Sequence, residues 1–156
     1  MLDIVIIAID KIKAKYFQDA AKEYLKRLSP YAKIKIEELT AESFRNEGDK
    51  NRAKKKEGER IIKAISKYSD AQIIFLTESG ELMDSVHFSK WLEINSNQKL
   101  VFVIAGSLGF DESVIKKASH LISLSTLTFP HELAQVILLE QLYRSVCISK
   151  GKDYHY

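Results

Sequence analysis

Residues 121–144 read LISLSTLTFPHELAQVILLEQLYR. The stretch opens as a short apolar strand over residues 121–125. It closes as a helix over residues 130–148, with Pro130 in the first turn, where a missing N–H does no harm. Between them, Ser125-Thr126-Leu127-Thr128-Phe129-Pro130-His131 contains no Asp, Glu, Lys or Arg, although 29% of the chain is charged. A strand that runs into a helix through a bare joint is half of the crossover unit from which parallel sheets are built.

The same alternation runs through the rest of the chain. Apolar, β-branched runs predict strands at residues 2–9, 34–39, 72–76, 100–105 and 121–125. Helical spacing of apolar residues predicts helices at 15–28, 51–67, 84–94, 111–118 and 130–148, with Asp84 or Ser85 and Asp111 as caps and Pro30 as a stop. Residues 40–50 are polar, contain Gly48 and are expected to form a mobile loop. The fold class is therefore α/β, a mostly parallel sheet flanked by helices. With 156 residues and no dividing linker, one domain is expected.

Composition narrows the function. Hydrophobic content is 46%, which excludes global disorder. No apolar run is long enough to span a membrane. The start, Met1-Leu2-Asp3-Ile4-Val5, lacks a basic leader, so no secretory signal is expected. A lone cysteine, Cys147, leaves no internal disulfide and no cysteine-based zinc site; no metal cluster is visible. These features fit a cytoplasmic protein. The net charge of +3 permits a nucleic-acid partner without requiring one. Lys50, Arg52, Lys54, Lys55 and Lys56 crowd one stretch, and Lys11, Lys13 and Lys15 another; either could meet phosphates or form a solvated face.

Open parallel sheets bind ligands beyond the carboxyl ends of their strands. Three segments qualify. Leu76-Thr77-Glu78-Ser79-Gly80 follows the third strand and Ala105-Gly106-Ser107-Leu108-Gly109 the fourth. Neither is a P-loop or a dinucleotide fingerprint, and a plain turn explains each equally well. The joint of residues 125–131 is the third. Ser125, Thr126 and Thr128 offer hydroxyls, while Leu127 and Phe129 offer apolar walls. Such a lining suits a flat, mostly neutral ligand such as adenine, held by main-chain hydrogen bonds. Thr128 could also cap the helix that follows. That helix is apolar nearly all round, which predicts a homodimer interface; a fully buried core helix is the alternative.

Taken together, Ala105 to Gly109, Leu124 to His131, Glu140-Gln141-Leu142-Tyr143-Arg144 and Gly151-Lys152-Asp153-Tyr154-His155 resemble the ribosomal RNA large subunit methyltransferase H family, knotted enzymes of the SPOUT class. The likeness covers the whole chain, including the opening strand and Lys56-Glu57-Gly58-Glu59. The resemblance implies a single knotted methyltransferase domain over 1–156, with a C-terminal trefoil knot, and a homodimer. It implies S-adenosyl-L-methionine as cofactor, held by Leu76, Ala105, Gly106, Gly109, Leu124, Ser125, Thr126, Leu127, Thr128 and Phe129. The implied reaction is methylation of N3 of a pseudouridine in helix 69 of 23S rRNA, on the assembled ribosome. A knotted enzyme acting on tRNA and an inactive ribosome-binding module are the alternatives. The N3 proton must leave, so a base near the site is useful. His131, Tyr154 and His155 are the candidates, with Arg144 facing the pocket or an RNA phosphate.

Overall fold

In the computed structural model, which describes residues 1–154, the apolar run Leu2–Ile9 forms β1, an interior strand of a five-stranded sheet. The chain continues through α1 (Lys15–Leu28), β2 (Ala32–Leu39), α2 (Glu47–Ile65), β3 (Gln72–Leu82), α3 (Ser85–Ile94), β4 (Leu100–Ile104), α4 (Glu112–Ile115), β5 (His120–Ser123) and α5 (His131–Ser149). Strand order is β2-β1-β4-β3-β5, and every paired neighbour is parallel. The expected α/β class is therefore what forms.

Side-chain alternation explains why the interior strands are apolar throughout. Ile4, Ile6 and Ala8 of β1 pack into one cluster with Ala21 and Leu28 of α1, Phe88 of α3 and Leu138, Leu139 and Leu142 of α5. Val5, Ile7 and Ile9 pack into another, with Ile61 and Ile65 of α2 and Val114 of α4. With both faces covered, each strand position must be apolar. Leu138, Leu139 and Leu142 are fully buried, and each such side chain stabilises the fold by roughly 1.5–3 kcal/mol.

Several boundaries differ from the sequence reading: β2 begins at Ala32, two residues early, α4 spans only Glu112–Ile115 where 111–118 was expected, and three others bear on the site. First, α2 begins at Glu47, inside the stretch expected to be loop. Asn46 caps it by accepting from Asp49 N at 3.0 Å, and Glu47 and Asp49 place negative charge at the helix N-terminus. Second, β3 runs to Leu82 instead of ending near residue 76. Its register against β5 breaks between Leu76 and Glu81, so that Ile122 pairs with both. A Cβ on Gly80 would lie 2.6 Å from the carbonyl carbon of Ile122, so two backbones approach there as only glycine allows. Third, β5 ends at Ser123, two residues early.

Helix α5 packs between α1 and α3 on one face of the sheet. Ser89 Oγ donates to the Ser145 carbonyl at 3.0 Å, and Ser85 Oγ to Gln141 Oε1 at 2.8 Å. The expectation of a core helix thus describes one side of α5. Leu133, Val136, Ile137, Tyr143 and Ile148 remain half-buried. Among the described residues no helix is long and apolar enough to cross a membrane.

One edge carries a compact ion cluster. Burial opposes ionisation of Glu37 on β2, but hydrogen bonds from Lys35 at 2.7 Å, Tyr68 and Lys67 at 3.3 Å outweigh it and bring the carboxyl to about 2. The folded value lies below the ordinary one, so this stabilisation is present above about pH 4.5 and is lost as pH falls toward 2. Glu37→Gln is expected to cost about 2 kcal/mol near neutrality and almost nothing in strong acid. Urea unfolding of both proteins across that range checks it; an equal loss at both ends would assign the effect to packing.

Candidate active site

A cavity of about 520 Å³ opens at the carboxyl ends of β4 and β5 and beside the part of β3 where its ladder with β4 ends, at Leu76. Leu76, Thr77 and Glu78 form one side. Ala105, Gly106, Ser107, Gly109 and Phe110, following β4, form the second. The joint after β5 supplies Leu124, Ser125, Leu127, Thr128, Phe129 and Pro130, and the start of α5 supplies His131 and Ala134. The three segments singled out from the sequence therefore meet in one place. Thr126 lies in the same joint and is exposed, but does not line the cavity.

The joint is shaped by its own hydroxyls. Ser123 Oγ donates to the Ser125 carbonyl at 2.9 Å, and Leu127 N donates to Ser125 Oγ at 3.0 Å, closing a side-chain turn. Thr128 makes no cap: α5 starts after Pro130 without a side-chain hydrogen bond. Leu127, expected as a wall, sits at the rim and is 70% exposed. The deeper apolar surface comes from Leu76, Phe110, Leu124 and Phe129.

The two glycines after β4 serve different ends. A Cβ on Gly106 would meet Ile9 Cγ2 at 2.8 Å, so the loop lies flat on the end of β1. Gly109 has φ +73 with open space around it, and its N–H bonds the Gly106 carbonyl at 3.1 Å. Gly109 is there for the turn and Gly106 for the close approach.

His131 lines the cavity, and its Nε2 is buried without a hydrogen-bond partner among the described residues. Beside it, the Lys13 backbone N–H donates to Glu132, and Lys13 Nζ pairs with Asp10 at 2.9 Å. Asp10 closes β1 in a left-handed conformation, φ 71, which a non-glycine residue rarely adopts. The side-chain hydrogen bond from Lys13 holds its carboxyl below the usual range.

Arg144 and Tyr154 are elsewhere. At 1.5 Å per residue, Arg144 stands about 20 Å along α5 from His131. Its guanidinium binds Glu140 at 2.5 and 2.9 Å and donates to the Tyr154 carbonyl at 3.3 Å. It also lies 4.9 Å from the centre of the Tyr154 ring, which stands edge-on to Tyr143. Burial, with Tyr24 and Glu140, pushes the Tyr154 phenol well above its ordinary value. In this setting Tyr154 offers a ring and a donor, not a base. His155 lies outside the described residues. The other histidines stay away from the cavity: His87 is exposed beside Asp84, and His120 is half-buried edge-on to Trp91.

Sequence reasoning missed Asp10 and Glu57. Glu57 is 4% exposed on α2, behind the Gly106 loop. Its signal was Gly58, a helix-interior glycine that propensity alone disfavours. A Cβ there would meet Val114 at 2.7 Å, so α2 must press against α4 at this point. Among the described residues no cluster of His, Cys, Asp and Glu could hold a metal ion.

Residues 2–155 match a family model described as "Predicted SPOUT methyltransferase". A protein of Pseudothermotoga lettingae named "Ribosomal RNA large subunit methyltransferase H" is 44% identical over 160 residues, covering 99% of this chain and 100% of that one. One of the same name from Clostridium botulinum (strain Eklund 17B / Type B) is 41% identical, covering 99% of each. Among solved structures, a probable methylase family protein from Haemophilus influenzae superposes with a TM-score of 0.61 at 12% identity, over 100% of this chain and 72% of that one. At that identity the likeness concerns the fold alone.

Proposed function

Because the chain belongs to the SPOUT methyltransferase family, and to the branch of it whose members are named ribosomal RNA large subunit methyltransferase H, we propose that it methylates N3 of a pseudouridine in helix 69 of 23S rRNA on the assembled ribosome. The single observation that carries this reading is the convergence of three segments, one in β3 and the two that follow β4 and β5, on one apolar, weakly charged cavity. Its size suits a nucleoside-sized ligand. Family membership implies a C-terminal trefoil knot and work in the cytoplasm, where ribosomes are, within a single domain.

The residues present fit S-adenosyl-methionine. Main-chain edges of residues 76–78, 105–107, Gly109, Leu124, Ser125, Leu127 and Thr128 can bond an adenine and ribose, and Leu76, Leu124 and Phe129 can flank the ring. When bound, S-adenosyl-methionine supplies an electrophilic methyl group. The protein's part is to hold acceptor nitrogen and methyl in line and to exclude water. The N3 proton must also leave. His131 Nε2, buried at the cavity wall with no partner among the described residues, can accept it directly or through one water.

Arg144 and Tyr154 support a two-chain site. Both are too far from this chain's own cavity to serve it, yet form an organised cationic and aromatic group beside the half-buried apolar residues of α5. Two α5 helices packed antiparallel would bring the partner's Tyr154 toward this chain's His131. Light scattering should accordingly report a dimer at micromolar concentration.

The deciding experiment incubates ribosomes, and separately tRNA, with enzyme and donor, then maps methylated nucleotides by mass. One added methyl at a helix 69 pseudouridine is the expected result. Methyl groups on tRNA alone, or on no RNA, would overturn the assignment.

A further inference from the structure

We propose that the carboxylate of Glu57, buried beneath the Gly106 loop, is a specificity-determining group that lets the cavity tell a cationic sulfonium donor from its neutral thioether product. The inference rests on reading the cavity as an S-adenosyl-methionine site. Glu57 is 4% exposed, and its Oε1 lies 3.5 Å from where a Cβ on Gly106 would stand. Gly106 itself lines the cavity. The carboxyl therefore sits behind a floor one residue thick.

Among the described residues no cation is committed to Glu57. Arg60, one turn further along α2, is held by Glu42 at 2.5 Å and by the Thr40 carbonyl at 2.8 Å. Lys13 is engaged by Asp10 at 2.9 Å. The nearby acids are Glu42 after β2, Asp10 at the end of β1 and, beside Gly58, Asp111, which is bonded to Ser113 and faced by Lys54 and Lys55. His131 lines the same cavity and lies near Asp10. Burial pushes the Glu57 carboxyl up from its ordinary value, aided by Glu42 and Asp10 and opposed by the Glu42 backbone N–H and Arg60.

A buried carboxylate without a cation is costly, and a charge brought close in a poorly hydrated place offsets that cost. A sulfonium on the other side of Gly106 is such a charge. Methyl transfer then removes it. The nitrogen lone pair forms the new N–C bond, the N3 proton leaves, and the electrons of the S–C bond return to sulfur. The neutral thioether no longer partners Glu57, so ionised Glu57 favours donor entry and product exit.

The test is calorimetry of S-adenosyl-methionine and S-adenosyl-homocysteine with the full chain, upward from the ordinary carboxylate range across the pH values at which the protein stays folded. In the wild type the donor-to-product affinity ratio should rise about tenfold as Glu57 ionises. In Glu57→Gln it should stay near its low-pH value while product affinity is unchanged. His131 is present in both proteins, so it does not contribute to the difference between them. Melting of the ligand-free proteins gives a second readout. Glu57 has a raised folded value, so its burial weakens the fold as pH rises. Glu57→Gln should therefore melt higher than wild type, by about 3 °C, at the alkaline end of the range and not at its acid end. If the variant does not fold, the wild-type ratio decides, measured again in His131→Asn, where its pH dependence should persist. A ratio independent of pH, or one that moves in parallel in wild type and Glu57→Gln, overturns the proposal. If the wild type binds neither ligand, the donor reading itself falls.

Discussion

Gly106→Val is expected to lower affinity for S-adenosyl-methionine at least a hundredfold. The new side chain would not enter the cavity. Its Cβ points the other way, 2.8 Å from Ile9 Cγ2 and 3.5 Å from Glu57 Oε1. Ile9 is 1% exposed and cannot yield without disturbing the end of β1. The loop must move instead, and open space lies on the cavity side. A shift of even 1 Å displaces the main-chain edges that a nucleoside would bond, and about 3 kcal/mol of binding is enough for the expected loss. Gly109→Ala is the contrast. Space is open there, so only the left-handed backbone is strained, at a cost of about 1 kcal/mol. Calorimetry with donor, alongside thermal melting to verify the fold, separates the two. Undiminished affinity in Gly106→Val would mean that the ligand does not rest on this loop.

Removing residues 152–156 is expected to abolish ribosome methylation, by a hundredfold or more, while donor affinity changes less than about twofold. The tail is anchored locally: Lys152 N donates to the Cys147 carbonyl at 2.9 Å, Lys152 Nζ meets the Tyr31 hydroxyl, and Tyr154 covers Tyr143. Losing those contacts costs about 1–2 kcal/mol of stability, all of it about 20 Å from the cavity in the same chain. Methylation should fail for a different reason. The aromatic residues and histidine of the sequence Tyr154-His155-Tyr156 are of the type suited to an exposed base in the partner's site. Tyr154→Ala should mainly raise the ribosome KM, whereas His155→Ala should lower kcat. A truncated dimer that methylates ribosomes at the normal rate would sink the two-chain site and leave His131 as the better catalytic group.

Much of this protein was legible without coordinates. The strands were marked by runs such as LVFVI, because a strand covered on both faces tolerates nothing else. Helix α1 was marked at both ends by apolar spacing and Pro30. The cavity's three segments followed from the rule that parallel sheets open at their carboxyl ends, and the cavity does lie there. What the sequence could not set were outcomes that depend on a distant neighbour. Residues 47–50 look like loop by composition, but a cap at Asn46 and the docking of α2 make them helix. Leu127 is as apolar as Leu124, yet only its place on the turn, held by the Ser125 hydroxyl, leaves it at the rim. Glu57 reads as one more solvated charge beside Lys56, until packing against α4 turns it inward beneath Gly106. Periodicity is local and survives in one dimension. Burial of a single side chain is set by elements dozens of residues away, and only the folded chain decides it.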